Sequence, residues 1–496
     1  MPTPAPPNPN DQALALALRH HRQGRLDEAE QLYRAILHAE PQNADALHLL
    51  GLIQHQRGNH PAAIEMIQHA IDQMPAAPAP NPRLAEAQSN MAAVLRAMKR
   101  LDDAERYARM AIATDSKNAG ALQNLGCILQ DRGLAEEAIQ YHQMAMQSGA
   151  LRHQALSNLG DALTSAGRFS EGRAALEQAI QIAPDFVEAH WNLAIALLLQ
   201  GDWDRGFAEH EWRLRHPGSA ITRFSQPMWR GEDLQGRTIL LHMEQGSGDA
   251  IQFIRYAPLI HARGGRIILE SFPSLARLFV GVAGIDRIIS RGSPPPPFDV
   301  QCPLLSLPHL FRTSPMSVPA GDAYIRLDPN LINQWEARVK STPALRRIGL
   351  VWAGNSDHRN DRNRSIPLSQ FAPLAGIPNT RFFALQLGPA AAQPSPAGLD
   401  LVDLTPHIHD FADTAALLCH LDLLITVDTA IAHLAGALNR PAWLLLPAVP
   451  DWRWLLSGPT TTWYPSLRLF RQTTRGDWDP VVEQIAEAIA DLPAGH

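Results

Sequence analysis

The sequence predicts a helical repeat array followed by an α/β region built on parallel sheets. Three observations carry this expectation. Turn glycines recur at a fixed interval of 34 residues through the first part of the chain. Past the segment Trp229-Arg230-Gly231, short β-branched runs alternate with helical segments. All 11 tryptophans stand at position 191 or later, so the two parts differ in composition. At 496 residues the chain is too long for one compact domain.

The repeat is read from several residue classes that share one period. Gly24, Gly58, Gly133, Gly167 and Gly201 mark turns, and Lys99 takes the turn position 34 residues before Gly133. The interval from Gly58 to Lys99 is 41 residues, and the proline-rich stretch 78–82 absorbs the surplus. Five residues after each turn stands a small side chain: Ala29, Ala63, Ala104, Ala138, Gly172 and Gly206. It lets the second helix of each pair approach its neighbour closely. The pairs Leu50-Gly51, Leu125-Gly126 and Leu159-Gly160 do the same on the first helix. Pro41, Pro75 and Pro184, with Ser116 and Ala150 in the same register, follow the second helix, which a proline cannot continue. One helix pair cannot bury its apolar stripe alone, so the pairs stack. The array is expected over 10–216 in about six units, after a disordered N-terminus at 1–9.

In the second part, strands are predicted at 238–242, 266–270, 347–352, 381–385, 423–427 and 442–446. Helices are predicted at 250–261, 273–280, 330–340, 411–418, 429–438 and 479–489. Strand–helix alternation argues for two parallel-sheet units, 235–335 and 345–490, facing each other across a cleft. Ligands of open parallel sheets bind at the carboxyl ends of the strands.

Composition excludes several classes. With 45% hydrophobic and 19% charged residues the chain is not mainly disordered. Residues 1–216 hold 19 Lys+Arg against 25 Asp+Glu, and the rest is balanced, so a nucleic-acid partner is not expected. The net −6 is compatible with a basic partner or with solvated helix faces alone. Cys127, Cys302 and Cys419 form no CxxC pair and read as free thiols of a reducing compartment. No secretory leader is read at Met1, and no apolar run approaches the roughly 18 residues of a membrane span. A cytoplasmic protein is expected.

Three clusters fall at predicted strand ends. The first is Glu244-Gln245-Gly246-Ser247-Gly248-Asp249. Its glycines permit a sharp turn into a helix. Asp249 then serves either as a helix-capping aspartate or as a general base aimed into the cleft. The second is the polar loop from Gly354 to Ser365, rich in arginine. Guanidinium groups match phosphate oxygens bidentately, although a plain mobile loop has the same composition. The third is Val427-Asp428-Thr429-Ala430-Ile431-Ala432-His433. A buried strand ends there and a helix begins, with the N–H groups of Thr429, Ala430 and Ile431 expected to be open to an anion. Asp428 suits sugar hydroxyls, and His433 reads as a packed histidine or a ligand contact. No metal site is expected, since His-Glu-x-x-His is missing and both Asp-Trp-Asp runs (202–204 and 477–479) read as helix starts. A Gly-x-Ser-x-Gly elbow is missing too.

Taken together, the chain resembles tetratricopeptide-repeat proteins of bacteria that carry a C-terminal heptosyltransferase-like domain (glycosyltransferase family 9). The segments that carry the resemblance are 241–253, Trp352-Ala353-Gly354, Arg364-Ser365-Ile366-Pro367, Asp410-Phe411-Ala412-Asp413-Thr414 and 427–434, with Asp451-Trp452-Arg453-Trp454-Leu455 and Trp463-Tyr464-Pro465. The resemblance implies a tetratricopeptide superhelix followed by a GT-B fold of two Rossmann-like domains. It also implies metal-independent, inverting transfer from a nucleotide sugar, which is a co-substrate, with no cofactor.

By the same resemblance Asp249 stands where the family has its base. Arg364, Asp428, Thr429 and His433, with Trp352, Gly354 and Ser365, stand where the family binds the donor. Glu244, Gln245, Gly246 and Gly248 are candidates for a sugar or acceptor contact. Two positions depart from the family pattern: Ala430 replaces a glycine, and Arg364 replaces a lysine-type point charge with a fork.

The expected function is transfer of a sugar to a hydroxyl on a protein recruited by the repeat groove. The alternatives are a glycosyltransferase of surface glycan or lipid, or a non-catalytic scaffold. The oligomeric state is not legible.

Overall fold

The computed structural model describes residues 9–75, 80–149, 151–216, 223–319, 323–340 and 346–492. The expected disordered N-terminus lies outside the described residues except for Pro9, which opens the first helix. Ala150 and positions 78–79 of the proline-rich stretch also lie outside them. Contacts divide the chain into two compact units, Met1–Ala189 and His190–His496.

The first unit is an array of stacked helix pairs. The pairs are Pro9–Arg22 with Leu26–Ala39, Ala44–Gln56 with His60–Gln73, Pro82–Ala97 with Leu101–Thr114, Ala119–Asp131 with Ala135–Gln147, and Arg152–Ser165 with Phe169–Ile182. Three first helices start at an asparagine, Asn43, Asn81 and Asn118. Each side-chain oxygen accepts an amide of the first turn, satisfying a donor that the helix leaves open. The turn glycines are left-handed, with φ from +73° at Gly24 to +85° at Gly167. Lys99 adopts the same conformation at φ +60°, so the repeat's geometry overrides the residue's preference there.

The small residues do what their period requires. Ala29, Ala63, Ala104 and Ala138 are fully buried. A Cβ on Gly160 would stand 2.5 Å from Leu176 Cγ and 2.9 Å from the Gly172 carbonyl oxygen. Gly160→Ala is therefore expected to cost about 1–3 kcal/mol through overpacking. Gly120→Ala, whose Cβ meets nothing closer than 3.4 Å, is the control. Thermal unfolding of the two variants checks this: equal melting temperatures would show that the close approach is not needed.

Among the described residues the second unit contains ten strands. They are β1 Thr238–His242, β2 Arg266–Ser271, β3 Ile285–Ser290, β4 Val300–Pro303, β5 Arg346–Val351, β6 Thr380–Ala384, β7 Leu401–Asp403, β8 Leu423–Val427, β9 Ala442–Leu446 and β10 Leu467–Arg471. One sheet runs β3-β2-β1-β4 and the other β10-β9-β8-β5-β6-β7. All of their pairings are parallel. The six-stranded order is that of the Rossmann fold, and the four-stranded sheet is its first four strands. The chain is thus a tetratricopeptide-like array followed by two parallel α/β sheets, as in a GT-B fold.

The six sequence-predicted strands are present within a residue at either end. β3, β4, β7 and β10 were not legible. β4 and β7 are only four and three residues long, and β3 alternates poorly, with Asp286 and Arg287 exposed. The helix expected at 250–261 begins earlier, at Ser247. It runs to Phe253 and resumes as Ala257–Ala262 after a tight turn. Pro258 lacks an N–H and is placed in the first turn of the second piece, which is where the break falls.

Buried aliphatic residues of β5, β8 and β9 (Ile348, Leu350, Ile425, Val427, Leu445) pack on Val482, Ile485 and Ile489 of the last helix, Asp479–Ala490. That core holds the ends of β5 and β8 side by side.

Candidate functional site

In the six-stranded sheet the strand order reverses between β5 and β8. From β5 the chain goes out to β6, and from β8 it goes the other way to β9. The loops after the two strands therefore part and leave a crevice, the ordinary ligand position in such sheets. The second and third sequence clusters are these two loops, and the structure brings them together.

Arg364 makes the junction. Its Nη1 donates to the backbone carbonyl of Asp428 at 2.9 Å and its Nε to Asp361 at 3.3 Å. The guanidinium lies across Gly354, where a Cβ would stand 2.5 Å from Nη2, so a larger residue there would push the arginine aside. The loop is not a plain mobile one. Ser365 Oγ accepts the Gly354 amide and donates to Asp361, both at 2.9 Å, and the Ile366 amide bonds the Trp352 carbonyl. Ser365 is thereby a loop brace. Trp352 is a core residue whose indole N–H donates to the Ala390 carbonyl at 3.3 Å, so its ring is not available to a donor.

The helix Ala430–Ala437 starts behind Asp428. Thr429 is its cap, and its hydroxyl accepts the Ile431 amide at 3.3 Å. The expectation of three open amides is corrected here, because that of Ile431 is taken. His433 is buried and neutral. Burial first, then the charges of Arg453, Arg255 and Arg364, hold it well below the ordinary histidine range. Its Nδ1 meets the Tyr464 hydroxyl at 2.9 Å and its ring stacks on Trp454. Of the two readings offered for His433, packing is the one the geometry displays.

The first cluster meets this crevice from the other sheet. Gly248 faces His433, and its absent Cβ would lie 2.9 Å from the ring Cδ2. Asp249 stands in the first turn of Ser247–Phe253, where its Oδ2 accepts the Gly246 amide at 3.1 Å. Its Oδ1 accepts from Arg453 Nη2 at 2.5 Å. The carboxylate thus caps the helix, one of its two sequence readings, and it stands at the crevice. Burial raises its pKa, and Arg453 opposes the rise.

Asp428 is pushed up to about 6, by burial first and then by the charge of Asp451. Arg364 opposes that shift. The Trp454 indole N–H does so too, lying beside Asp428 but outside hydrogen-bonding geometry with any described residue.

Glu244 is placed elsewhere. In the four-stranded sheet the order reverses between β1 and β4, and that crevice is filled by protein. Arg213 donates to Glu244 at 2.8 Å, to Ser306 at 2.9 Å and to Glu211 at 2.6 Å, with both Arg213 and Glu244 nearly buried. Burial raises the Glu244 pKa, against the pull of Arg213. Its partner is a protein cation, and the sugar or acceptor contact read for it is corrected to a structural ion pair. Gln245 and Gly246 are exposed at the turn.

Sequence reasoning missed Arg453, Trp454 and Arg213. The first two lie in the 451–455 segment, quoted only for its resemblance. Nothing in spacing ties a residue to Asp249 across two hundred positions. Among the described residues no group of three or more His, Cys, Asp or Glu is placed to hold a metal ion, and no helix is long and apolar enough to cross a membrane.

Comparison with known proteins matches both parts. Residues 12–35, 42–117, 118–149 and 160–201 match tetratricopeptide-repeat family models. Residues 386–445 match the model of glycosyltransferase family 9 (heptosyltransferase). These residues take in β8 and the Asp428–His433 loop. The chain thus carries N-terminal tetratricopeptide repeats and a C-terminal segment that is similar to the heptosyltransferase family model over residues 386–445.

A similar curated protein is Protein FlbA of Caulobacter vibrioides, 27% identical over 330 residues, or 60% of this chain and 54% of FlbA. The chain spans about half the length of that relative. Similar solved structures include TTC0263, a thermophilic tetratricopeptide protein of Thermus thermophilus. It is 22% identical, covers 38% of this chain and 99% of its own, and has a TM-score of 0.34. Another is pilF of Pseudomonas aeruginosa, 17% identical, covering 43% and 95%, with a TM-score of 0.35.

Proposed function

We propose that the chain is a glycosyltransferase of heptosyltransferase type that uses a nucleotide sugar and acts on a hydroxyl of a surface glycan or lipid. The repeat array serves it as a protein- or peptide-docking module. The carrying observation is the crevice between β5 and β8, where Arg364 is fastened to Asp428 and Asp249 closes the site from the other sheet. This reading takes precedence over a protein acceptor, which rests on the order of the two parts alone. A cytoplasmic location belongs to the same proposal.

The chemistry is a single displacement. Asp249 takes the proton of the acceptor hydroxyl as it attacks the anomeric carbon. The bond from that carbon to the diphosphate oxygen breaks, and Arg364 with the Thr429 end of the helix stabilises the leaving diphosphate. Asp428 holds sugar hydroxyls.

The test is a thermal-shift panel of nucleoside diphosphates and nucleotide sugars with wild type and Arg364→Ala. Ligand bound to the native state raises the midpoint by mass action. The expected result is a shift with one nucleotide family that is lost in Arg364→Ala. No shift with any nucleotide would overturn the donor site.

A pH dependence follows from Asp428. Its folded pKa is about 6, so the carboxyl gains its charge as pH rises through that value and then repels the diphosphate. Wild type is expected to lose affinity from pH 5 to pH 8 by several-fold more than Asp428→Asn, measured by calorimetric titration with a nucleotide sugar. Equal losses would show that Asp428 does not face the phosphates.

A further inference from the structure

We propose that Arg453 is a positioning residue for Asp249: it fixes one oxygen of that carboxylate and keeps the group ionised in buried surroundings. The proposal rests on the reading of Asp249 as the base and deepens it.

Arg453 sits in the middle of a short turn after β9, Trp452–Trp454, and its side chain is 9% exposed. Each of its three nitrogens has its own acceptor. Nη2 donates to Asp249 Oδ1 and Nε to Gln252 Oε1, both at 2.5 Å, and Nη1 donates to Asp451 Oδ1 at 2.9 Å. The guanidinium also lies over the Trp452 ring, 4.3 Å from its centroid. Asp249 and Gln252 are three residues apart in one helix, so two teeth of the fork hold the helix turn that carries the base. The third is anchored to Asp451, which caps the turn carrying Arg453 and accepts its amide at 3.0 Å.

This arrangement has a chemical use. A buried carboxylate without a cation takes up a proton and is useless as a base at neutral pH. With Oδ1 given to Arg453 and Oδ2 accepting only the Gly246 amide, Oδ2 keeps a lone pair for an acceptor proton. A lysine cannot substitute, because a single ammonium on a flexible stem does not serve three acceptors in a plane.

The other charged groups near Asp249 are Asp451, His358 and Glu244. Asp451 and Glu244 favour its protonated form. His358 is held below its usual range, by burial first and then by Arg364, and is neutral at pH 8. At that pH Arg453 is the cation in contact with Asp249.

The test reads stability against pH and needs no substrate. Melting temperatures of wild type, Arg453→Met and Arg453→Lys are compared from pH 5 to pH 8, each alone and combined with Asp249→Asn or Asp451→Asn. Without Arg453 the folded pKa of Asp249 rises further above its unfolded value. The penalty for ionising it is then full at high pH and fades as pH falls through the folded pKa. Arg453→Met is expected to lose roughly 5–10 °C at pH 8 and clearly less at pH 5. Asp249→Asn should restore much of the loss at pH 8.

A deficit that is flat with pH, or one restored by Asp451→Asn and not by Asp249→Asn, would overturn the proposal. Should Arg453→Met fail to fold at pH 8, its combination with Asp249→Asn folding under the same conditions supports the proposal, and that combination failing as well overturns it. Arg453→Lys is expected to show the same pH trend with a smaller deficit. Nucleotide binding is read in the separate Arg364 panel, so failure of this proposal and failure of the donor-site reading are distinguishable.

Discussion

Asp249→Asn is expected to lower kcat by roughly 10²–10⁴-fold while leaving nucleotide-sugar affinity unchanged. The amide has nearly the same shape but only one acceptor oxygen, so it keeps one of the two bonds from Gly246 and Arg453, and it cannot take a proton. The side chain reaches the crevice from the four-stranded sheet, whereas the proposed donor contacts follow β5 and β8, so the two losses separate. The measurement is transfer to the acceptor under saturating donor, with calorimetric titration of the donor alongside. Full activity in Asp249→Asn would remove the base from the mechanism. Loss of donor binding would show that the residue holds the donor instead.

The second large effect concerns Arg213. Arg213→Met leaves Glu244 and Glu211 without their cation in the crevice beside β1 and β4. Removing one partner of a buried ion pair costs about 3–5 kcal/mol, because the remaining charge is stranded. The sign of the pH dependence follows from Glu244. Burial already raises its folded pKa, and losing Arg213 raises it further. The destabilisation should be largest near pH 8 and should shrink as pH falls and Glu244 takes up a proton. Thermal unfolding of Arg213→Met, with Arg213→Met/Glu244→Gln as the rescue, checks it. A loss that is independent of pH and not rescued by Gln would mean that Arg213 acts through packing.

These two predictions mark where sequence reasoning stops. Asp249 is marked by two glycines and an acid after a strand, a pattern that a plain helix cap shares, and by the family resemblance. Asp428 is marked by its place directly past a buried strand, whereas Arg364, well beyond the end of β5, is marked by an arginine-rich loop and by the family resemblance. Arg213 and Arg453 were not legible. An arginine beside tryptophans carries no local mark of what it will pair with, and its partners come from elements far away in the chain. Glu244 shows the opposite error. It stands among residues that face the crevice, and its sequence neighbours made it look like a ligand contact. Only the packing of Arg213 against β1 and β4 reveals that its charge is already matched.

The sequence by itself determined the array and the strand–helix alternation. Both follow from periodicity: the 34-residue recurrence of turn and small residues, and β-branched runs that end in loops. Periodic signals are local, and local geometry reproduces them wherever they occur. The tertiary structure alone decided the strand order, and with it which loops share a crevice. It also decided which polar groups are spent inside the protein, such as Ser365, Trp352 and the amide of Ile431, and which charges face one another. The reason is physical: hydrogen bonds and ion pairs between distant segments depend on where packing brings their ends. β5 and β8 send their chains apart, which sets the Arg364 and Asp428 segments side by side, whereas Arg213 fills the space beside β1 and β4.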